Sequence, residues 1–236
     1  MTLCIIPARG GSKRIPGKNM KEFCGKPILS YPIGTAIDSG VFDDVMVSTD
    51  SPYIAGFAKD KGASIPFMRS EFASSDEADT EDVIDEVLIQ YREKLCMIVT
   101  LCCVMYPTSI FCTVQNLKNA KKEAEYNNHV FSVVEFEYPL ERALIETATG
   151  NMYSPANENK PSQAFKTRYH DAAQFYFFDV EFYMSGRKRG LGLLEMGGKP
   201  VLFKRSEVQD INTFDDWDIA ELKWRRKFSE IKQGVV

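Results

Sequence analysis

Residues 3–19, "LCIIPARGGSKRIPGKN", decide how the rest of the chain is read. The apolar run Leu3–Ile6 is short and bounded by turn formers, so it reads as a buried strand. The segment after it, Pro7–Asn19, holds three glycines, two prolines and four cationic side chains, in a chain of formal net charge -4. Between Arg9 and Lys26 six cations stand against one acid, Glu22. Gly10, Gly11 and Gly17 let backbone N–H groups approach an anion closely, and a cationic loop at a strand end suits a polyphosphate. Composition alone leaves a solvated basic loop open as the alternative.

Two familiar phosphate motifs fail here. A P-loop needs GxxxxGK followed by Ser or Thr. The spacing from Gly11 to Gly17 is one residue too long, and Asn19 stands where the hydroxyl is required. The GxGxxG dinucleotide fingerprint is absent as well.

Working outward, Ile28, Leu29, Ile33, Ala36 and Ile37 recur at helical spacing, with Gly40 as the stop. Asp44–Ser48 reads as a strand. Ser51-Pro52 reads as an N-cap and first helical position, opening a helix that ends at Gly62. Ser64–Phe67 is a third short strand, and Asp79 to Lys94 an amphipathic helix. The apolar run Cys96–Met105 is strand-like, and Thr113–Tyr126 is helical. This alternation predicts an α/β fold, a mostly parallel sheet with helices on both faces. Ligands of such sheets lie beyond the carboxyl ends of the strands. The Pro7–Asn19 loop, "STD" at Ser48–Asp50 and "YPTS" at Tyr106–Ser109 all leave strand ends and are expected to face one crevice.

The second half changes character. Phe131–Val134, Arg142–Glu146 and Gln174–Phe178 are strand-like, with a turn at Thr149-Gly150. Glu135–Asp171 reads as a long insertion or arm. Thr213–Ile231 is the last helix, capped by Thr213, with acids at its start and cations toward its end as the dipole favours.

A chain of 236 residues suits a single domain, 1–236, with ample core. The acidic balance argues against nucleic acid. No apolar run reaches the ~18 residues of a membrane span, and the first residues lack the pattern of a signal peptide, so a cytoplasmic location is expected. Six cysteines without CxxC and two histidines make a zinc site unexpected; buried reduced thiols in strands are expected instead.

The segment "IIPARGGSKRIPGKN", with "GKP" at Gly25–Pro27, resembles the signature of the acylneuraminate cytidylyltransferases. The resemblance continues through "VSTD" at Val47–Asp50, Arg69 and Asp76 in "RSEFASSD", "DVI" at Asp82–Ile84, "YPTS", and "DINTFDDW" at Asp210–Trp217. It implies a nucleotide-diphospho-sugar transferase-like, Rossmann-like sheet and a dimerisation arm at about 135–171, hence a homodimer. It also implies a Mg²⁺-dependent reaction joining CTP to a nine-carbon α-keto acid sugar, with release of pyrophosphate. By motif position Arg9, Gly11, Ser12, Lys13, Lys18 and Asn19 hold the triphosphate, with Arg9, Lys13, Lys18 and Asp210 serving catalysis. Arg69, Ala78 and Thr80 lie beside the cytosine. The metal pattern of the family, Asp-Ile-Asp-Thr, appears as Asp210-Ile211-Asn212-Thr213. An amide oxygen can coordinate a hard cation, but one negative charge is lost, so weaker metal binding or reduced activity is expected.

Tyr106 stands where many sialic-acid enzymes have Gln. "YPLERAL" at Tyr138–Leu144 and "YHDAAQFYFF" at Tyr169–Phe178 resemble the pseudaminic acid branch. That resemblance points to Tyr106, Ser109, Arg142, Gln163, His170, Asp171, Gln174 and Tyr176 as acceptor-binding residues. Arg142 would pair with the sugar carboxylate, and His170 and Asp171 with an acylamino group. N-acetylneuraminic and legionaminic acids are the alternative acceptors, and a non-catalytic nucleotide-binding relative is an alternative of another class. Ile110 after Ser109, Pro161-Ser162-Gln163-Ala164 in the arm, and Asn212 depart from the family pattern.

Overall fold

The opening apolar run forms β1 (Thr2–Pro7), and Leu3–Ile6 within it are fully buried. That is the state of an inner parallel strand covered on both faces. A small hairpin, β2 (Glu22–Phe23) and β3 (Lys26–Pro27), precedes α1 (Ser30–Ser39), β4 (Asp44–Ser48) and α2 (Pro52–Asp60). Then come α3 (Glu71–Ser74), α4 (Thr80–Lys94), β5 (Leu101–Val104), α5 (Val114–Ala124) and β6 (His129–Glu135). The short pair β7 (Ile145–Glu146) and β8 (Met152–Tyr153) lies in the arm. The chain closes with β9 (Tyr169–Asp179), α6 (Val180–Arg187), β10 (Lys199–Phe203) and α7 (Phe214–Lys232). The computed structural model describes residues 1–154 and 161–232.

Six strands form the main sheet in the order β10-β6-β9-β5-β1-β4. β1 runs parallel to β4 and β5, and β10 parallel to β6, whereas β9 is antiparallel to both β5 and β6. The sheet is therefore mixed, though mostly parallel. The departure has a simple cause: β6 and β9 are joined as the two sides of a long hairpin, and hairpin partners run in opposite directions.

Alternation along β1 splits the core. Cys4 and Ile6 join a cluster with Leu29, Ile33, Ile54 and Leu117 on the face of α1, α2 and α5. Leu3 and Ile5 join Ile84, Val87, Tyr91 and Tyr183 on the face of α4 and α6. A third cluster holds the basic loop in place. Ile15, fully buried, packs with Phe23, Ile28, Phe111, Ile211 and Trp217.

Helix starts follow local chemistry. Ser51 Oγ accepts from the N–H of Ile54, and capping boxes pair Asp79 with Asp82 and Thr113 with Asn116. Gly40, at φ 63°, ends α1 in the left-handed region that glycine enters without strain.

Several expected elements change. Ser64–Phe67 supplies only a single bridge, Ser64 to Met46, and Cys96–Met105 contracts to Leu101–Val104. Arg142–Glu146 is not one strand: Leu140–Arg142 is a 3-10 turn, and only Ile145–Glu146 pairs. The arm's far boundary also moves, because β9 begins at Tyr169. Residues 155–160 of the expected arm lie outside the described residues. Of the thiols, Cys4, Cys102, Cys103 and Cys112 are buried, but Cys24 is half-buried in the β2–β3 turn and Cys96 is exposed.

Candidate active site

The loop after β1 is built rather than loose. Its backbone N–H at Gly10 donates to Asp50 Oδ1 at 2.8 Å, which ties it to the turn after β4. Asn19 Nδ2 donates to the carbonyl of Arg9 at 2.8 Å, closing the loop across its mouth. Gly17, at φ 64°, turns the chain into the 3-10 turn Lys18–Met20. With Ile15 anchored below, the cations above it are held outward.

They border a cleft of about 640 Å³ at the carboxyl ends of β1, β4 and β5. Arg9, Ser12, Lys13, Lys18, Asn19, Arg69, Ala78, Thr80, Tyr106, Asp171, Asp210 and Asn212 all line it. Arg14 and Asp76 line it as well and were not assigned from the sequence. Their signals were a cation beside Lys13 and the acid in "RSEFASSD".

Each wall has its own chemistry. Lys18 Nζ donates to the carbonyl of Ile211 at 2.8 Å, joining the basic loop to the "DIN" turn. Burial lowers the Lys18 ammonium below its ordinary value, against the pull of Asp210. Arg9 pairs with Asp76 at 3.1 Å and reaches the carbonyl of Ser75 at 3.0 Å, while Lys13 pairs with the same carboxylate. The Lys13 hydrogen bond holds the Asp76 carboxyl below the usual range. Two of the loop's cations are thus compensated by one exposed acid.

Arg69 is 8% exposed and grips the end of β4. Its Nε donates to Ser48 Oγ at 3.0 Å and its Nη2 to the Ser48 carbonyl at 2.5 Å. Burial pushes its guanidinium down to about 10.

At the turn ahead of α7, Asn212 Nδ2 donates to Asp210 Oδ2 at 2.5 Å. Asp216 accepts from the backbone N–H groups of Asn212 and Thr213 at 3.0 and 2.8 Å, which fixes the turn ahead of α7. Among the described residues no group of three or more His, Cys, Asp or Glu is placed to hold a metal. One carboxylate and one amide oxygen nonetheless fit Mg²⁺, which commonly binds through one or two carboxylates, substrate phosphates and waters.

The opposite end is aromatic. Tyr106 meets Tyr176 edge to face at 5.7 Å, and its hydroxyl lies 3.2 Å from Thr80 Oγ1. Tyr176 donates its hydroxyl to Asp171, and burial raises the pKa of all three side chains. A bulge in β9 presents Asp171: Ala173 has φ 52°, and its N–H donates to Asp171 Oδ1 at 2.9 Å.

Other expected acceptor residues stand elsewhere. Ser109 and Gln174 are fully buried; Ser109 donates to the carbonyl of Ala173 and Gln174 Nε2 to that of Ala172. Both brace the bulge from beneath. Tyr176 borders an adjoining hollow. His170 is exposed, tilted against Phe136, and borders another hollow that shares Asp171, Asp210 and Asn212 with the cleft. Arg142 and Gln163 are exposed on 3-10 turns of the arm and do not line the cleft. Gly11 sits at the exposed tip of the loop.

Among solved structures, the chain resembles a CMP-2-keto-3-deoxy-manno-octonic acid synthetase complexed with CTP. The TM-score is 0.67 at 13% identity, over 96% of this chain and 99% of that one. It also resembles a 4-diphosphocytidyl-2C-methyl-D-erythritol synthase from Anaerococcus prevotii, with TM-score 0.62 at 13% identity over 95% and 98% of the two chains. In sequence it is 34% identical to a pseudaminic acid cytidylyltransferase of Campylobacter jejuni, over 94% of this chain and 96% of the relative. It is 29% identical to a CMP-N,N'-diacetyllegionaminic acid synthase of Legionella pneumophila, over 99% and 98%. The cytidylyltransferase family model matches residues 3–201, so the chain that folds around this cationic cleft belongs to the cytidylyltransferase family of nucleotidyltransferases.

Proposed function

We propose that the chain joins CTP to a nonulosonic acid, pseudaminic acid, giving the CMP-sugar and pyrophosphate. The anomeric oxygen of the acceptor attacks the α-phosphorus in line, the bond to pyrophosphate breaks, and a proton is released. Negative charge grows on the non-bridging and leaving oxygens, where fixed cations lower the barrier most. Arg9, Lys13, Arg14 and Lys18 supply those cations from one anchored loop. Asn19 keeps the loop closed, and Arg69, with Ala78 and Thr80 across from it, shapes the base side. Asp210 and the amide oxygen of Asn212 would hold Mg²⁺, which when bound with the triphosphate neutralises phosphate charge and orients its oxygens.

The observation that carries this reading is the convergence of four loop cations on a cleft whose other end is walled by Tyr106, Tyr176 and Asp171. A polar, anionic substrate and a partly apolar one both have a place there. The aromatic pair and the 34% identity to the Campylobacter relative support pseudaminic acid over the other acceptors. Exposed Tyr138, Leu140, Leu144, Ile145 and Met152 on the arm support a homodimer.

One observation favours a second reading, a nucleotide binder of weakened catalysis: Asn212 leaves the metal pair with a single carboxylate. Pyrophosphate release separates the two. The protein is given CTP, Mg²⁺ and pseudaminic, legionaminic or N-acetylneuraminic acid in turn. Turnover on pseudaminic acid above the others is expected. CTP binding with release on none of them would establish the second reading instead.

A further inference from the structure

Arg69 is a buried cation whose orientation is set by one neighbour. A guanidinium donates along two edges: an inner edge of Nε with one Nη2 hydrogen, and an outer edge of Nη1 with the other. Ser48 takes the whole inner edge. Its Oγ accepts from Nε at 3.0 Å and its carbonyl from Nη2 at 2.5 Å. The outer edge is what Arg69 can then offer to the cleft it lines.

The grip is built from the end of β4. Ser48 closes that strand, 1% exposed, in register with Pro7 of β1. Its carbonyl also accepts from the N–H of Ala8 at 2.9 Å, at the root of the basic loop. A buried hydroxyl at the end of the apolar run Val45–Val47 needs a partner, and the guanidinium is that partner. The backbone on either side of Arg69 is fixed as well. Its own N–H donates to the carbonyl of Thr49 at 2.9 Å, and Ser70 gives its N–H, at 3.0 Å, and its hydroxyl to Glu86 of α4. Burial works against the charge of Arg69, while Asp50 and Glu86 favour it. The guanidinium can turn only by breaking its bonds to Ser48.

Two parallel N–H donors match two adjacent acceptors. Cytosine presents such a pair, N3 and O2. Uracil has the same size and the same O2, but its N3 carries a hydrogen, so a donor would face a donor. A guanidinium free to turn could escape that clash by meeting one uracil oxygen alone. A locked one cannot, and leaves a buried donor unpaired.

We propose that Ser48 determines the nucleotide preference as a positioning residue: by occupying the inner edge of Arg69 it presents the outer edge as a fork that accepts cytosine and rejects uracil. The inference rests on the nucleotide half of the proposed transfer and is independent of which sugar acid is the acceptor.

The test is calorimetric titration of CTP and of UTP, at constant Mg²⁺, into wild type, Ser48→Ala and Ser48→Thr, with thermal melting of each. A bidentate pair discriminates by about 10–100-fold, and wild type is expected to bind CTP tighter than UTP by about that factor. Ser48→Ala keeps the carbonyl but loses the hydroxyl, and is expected to shrink the ratio by about tenfold, the size of one hydrogen bond to a charged group. Ser48→Thr, which keeps the hydroxyl, is expected to hold the ratio near that of wild type. A serine needed only for structure would weaken both nucleotides alike, so an unchanged ratio in Ser48→Ala overturns the proposal whatever its melting temperature. Equal binding of CTP and UTP by wild type overturns it too, and that result needs no variant to fold. A CTP preference that depends on Ser48, with pyrophosphate released on no sugar acid, supports this inference and overturns the transferase reading alone.

Discussion

Asn212→Asp changes the sign of one interaction, and its effect should depend on magnesium. The Asn212 amide donates to Asp210 at 2.5 Å. The substitution removes that donor and sets a second carboxylate beside the first. The lost hydrogen bond is worth about 1 kcal/mol. Two like charges about 4 Å apart repel by about 1 kcal/mol in water and about 4 kcal/mol at an effective dielectric of 20; because Asp210 is exposed, the lower figure governs. Without metal, the variant should lose about 2 kcal/mol and melt about 4–8 °C lower, by the usual scaling for a chain of this size. A divalent cation reverses the balance, since both carboxylates now attract it. A gain of about 1.4 kcal/mol in metal binding is a tenfold shift, so the half-saturating Mg²⁺ concentration should fall by about that factor. Thermal melting with and without Mg²⁺, and Mg²⁺ titration of pyrophosphate release, read the two effects separately. A lowered melting temperature with an unchanged Mg²⁺ midpoint would refute the assignment of positions 210 and 212 as the metal pair.

Lys18→Met removes the cation that bridges the basic loop and the "DIN" turn; kcat should fall by about 10²–10³-fold, and a rate within a few fold of wild type would take Lys18 out of the chemistry. Because burial lowers the Lys18 ammonium, wild-type kcat/KM for CTP should decline on the alkaline side below the ordinary lysine value of 10.5, and that limb should vanish in Lys18→Arg. Asp76→Asn frees Arg9 and Lys13 from their exposed partner, so the KM for CTP should drop by no more than about fivefold at low salt and converge with wild type at high salt; a higher KM would mean that Asp76 organises the loop. Asp171 is held above the usual carboxylate range by burial, so its contribution to stability is complete at low pH and is lost as pH rises through its folded-state value. Denaturant unfolding from pH 3 upward should show that loss in wild type and a flatter profile in Asp171→Asn, and parallel profiles would refute it.

What was legible in the sequence is what local chemistry writes. Ser51-Pro52, Asp79, Thr113 and Gly40 mark helix ends through bonds within four residues, and each end appears where those residues put it. The strand-end loops converge because parallel strands send their carboxyl ends to one edge. What was not legible depends on distant partners. The run at Gln174–Phe178 announces a strand, but its direction follows from pairing with both β5 and β6. β10 opens with Lys199-Pro200, a poor strand signal, and is tolerated because it is an edge strand. The bulge at Ala172–Ala173 turns Asp171 to the cleft and buries Gln174, a reversal no alternation pattern reveals. The loop at Gly190–Glu195 is held by Glu81, more than a hundred residues earlier.

β9 alone runs against the other five strands of its sheet. The chain therefore departs at Glu135 and re-enters at Tyr169, two residues paired with each other, and Phe136 N–H to Arg168 carbonyl at 2.9 Å closes the gate. Among the described residues between these gateposts, β7 and β8 pair only with each other and join no strand to the six-stranded sheet. Descendants of this chain can lengthen, shorten or exchange that excursion, and so acquire new associations, while the catalytic crevice two residues inside the gate inherits its geometry unchanged.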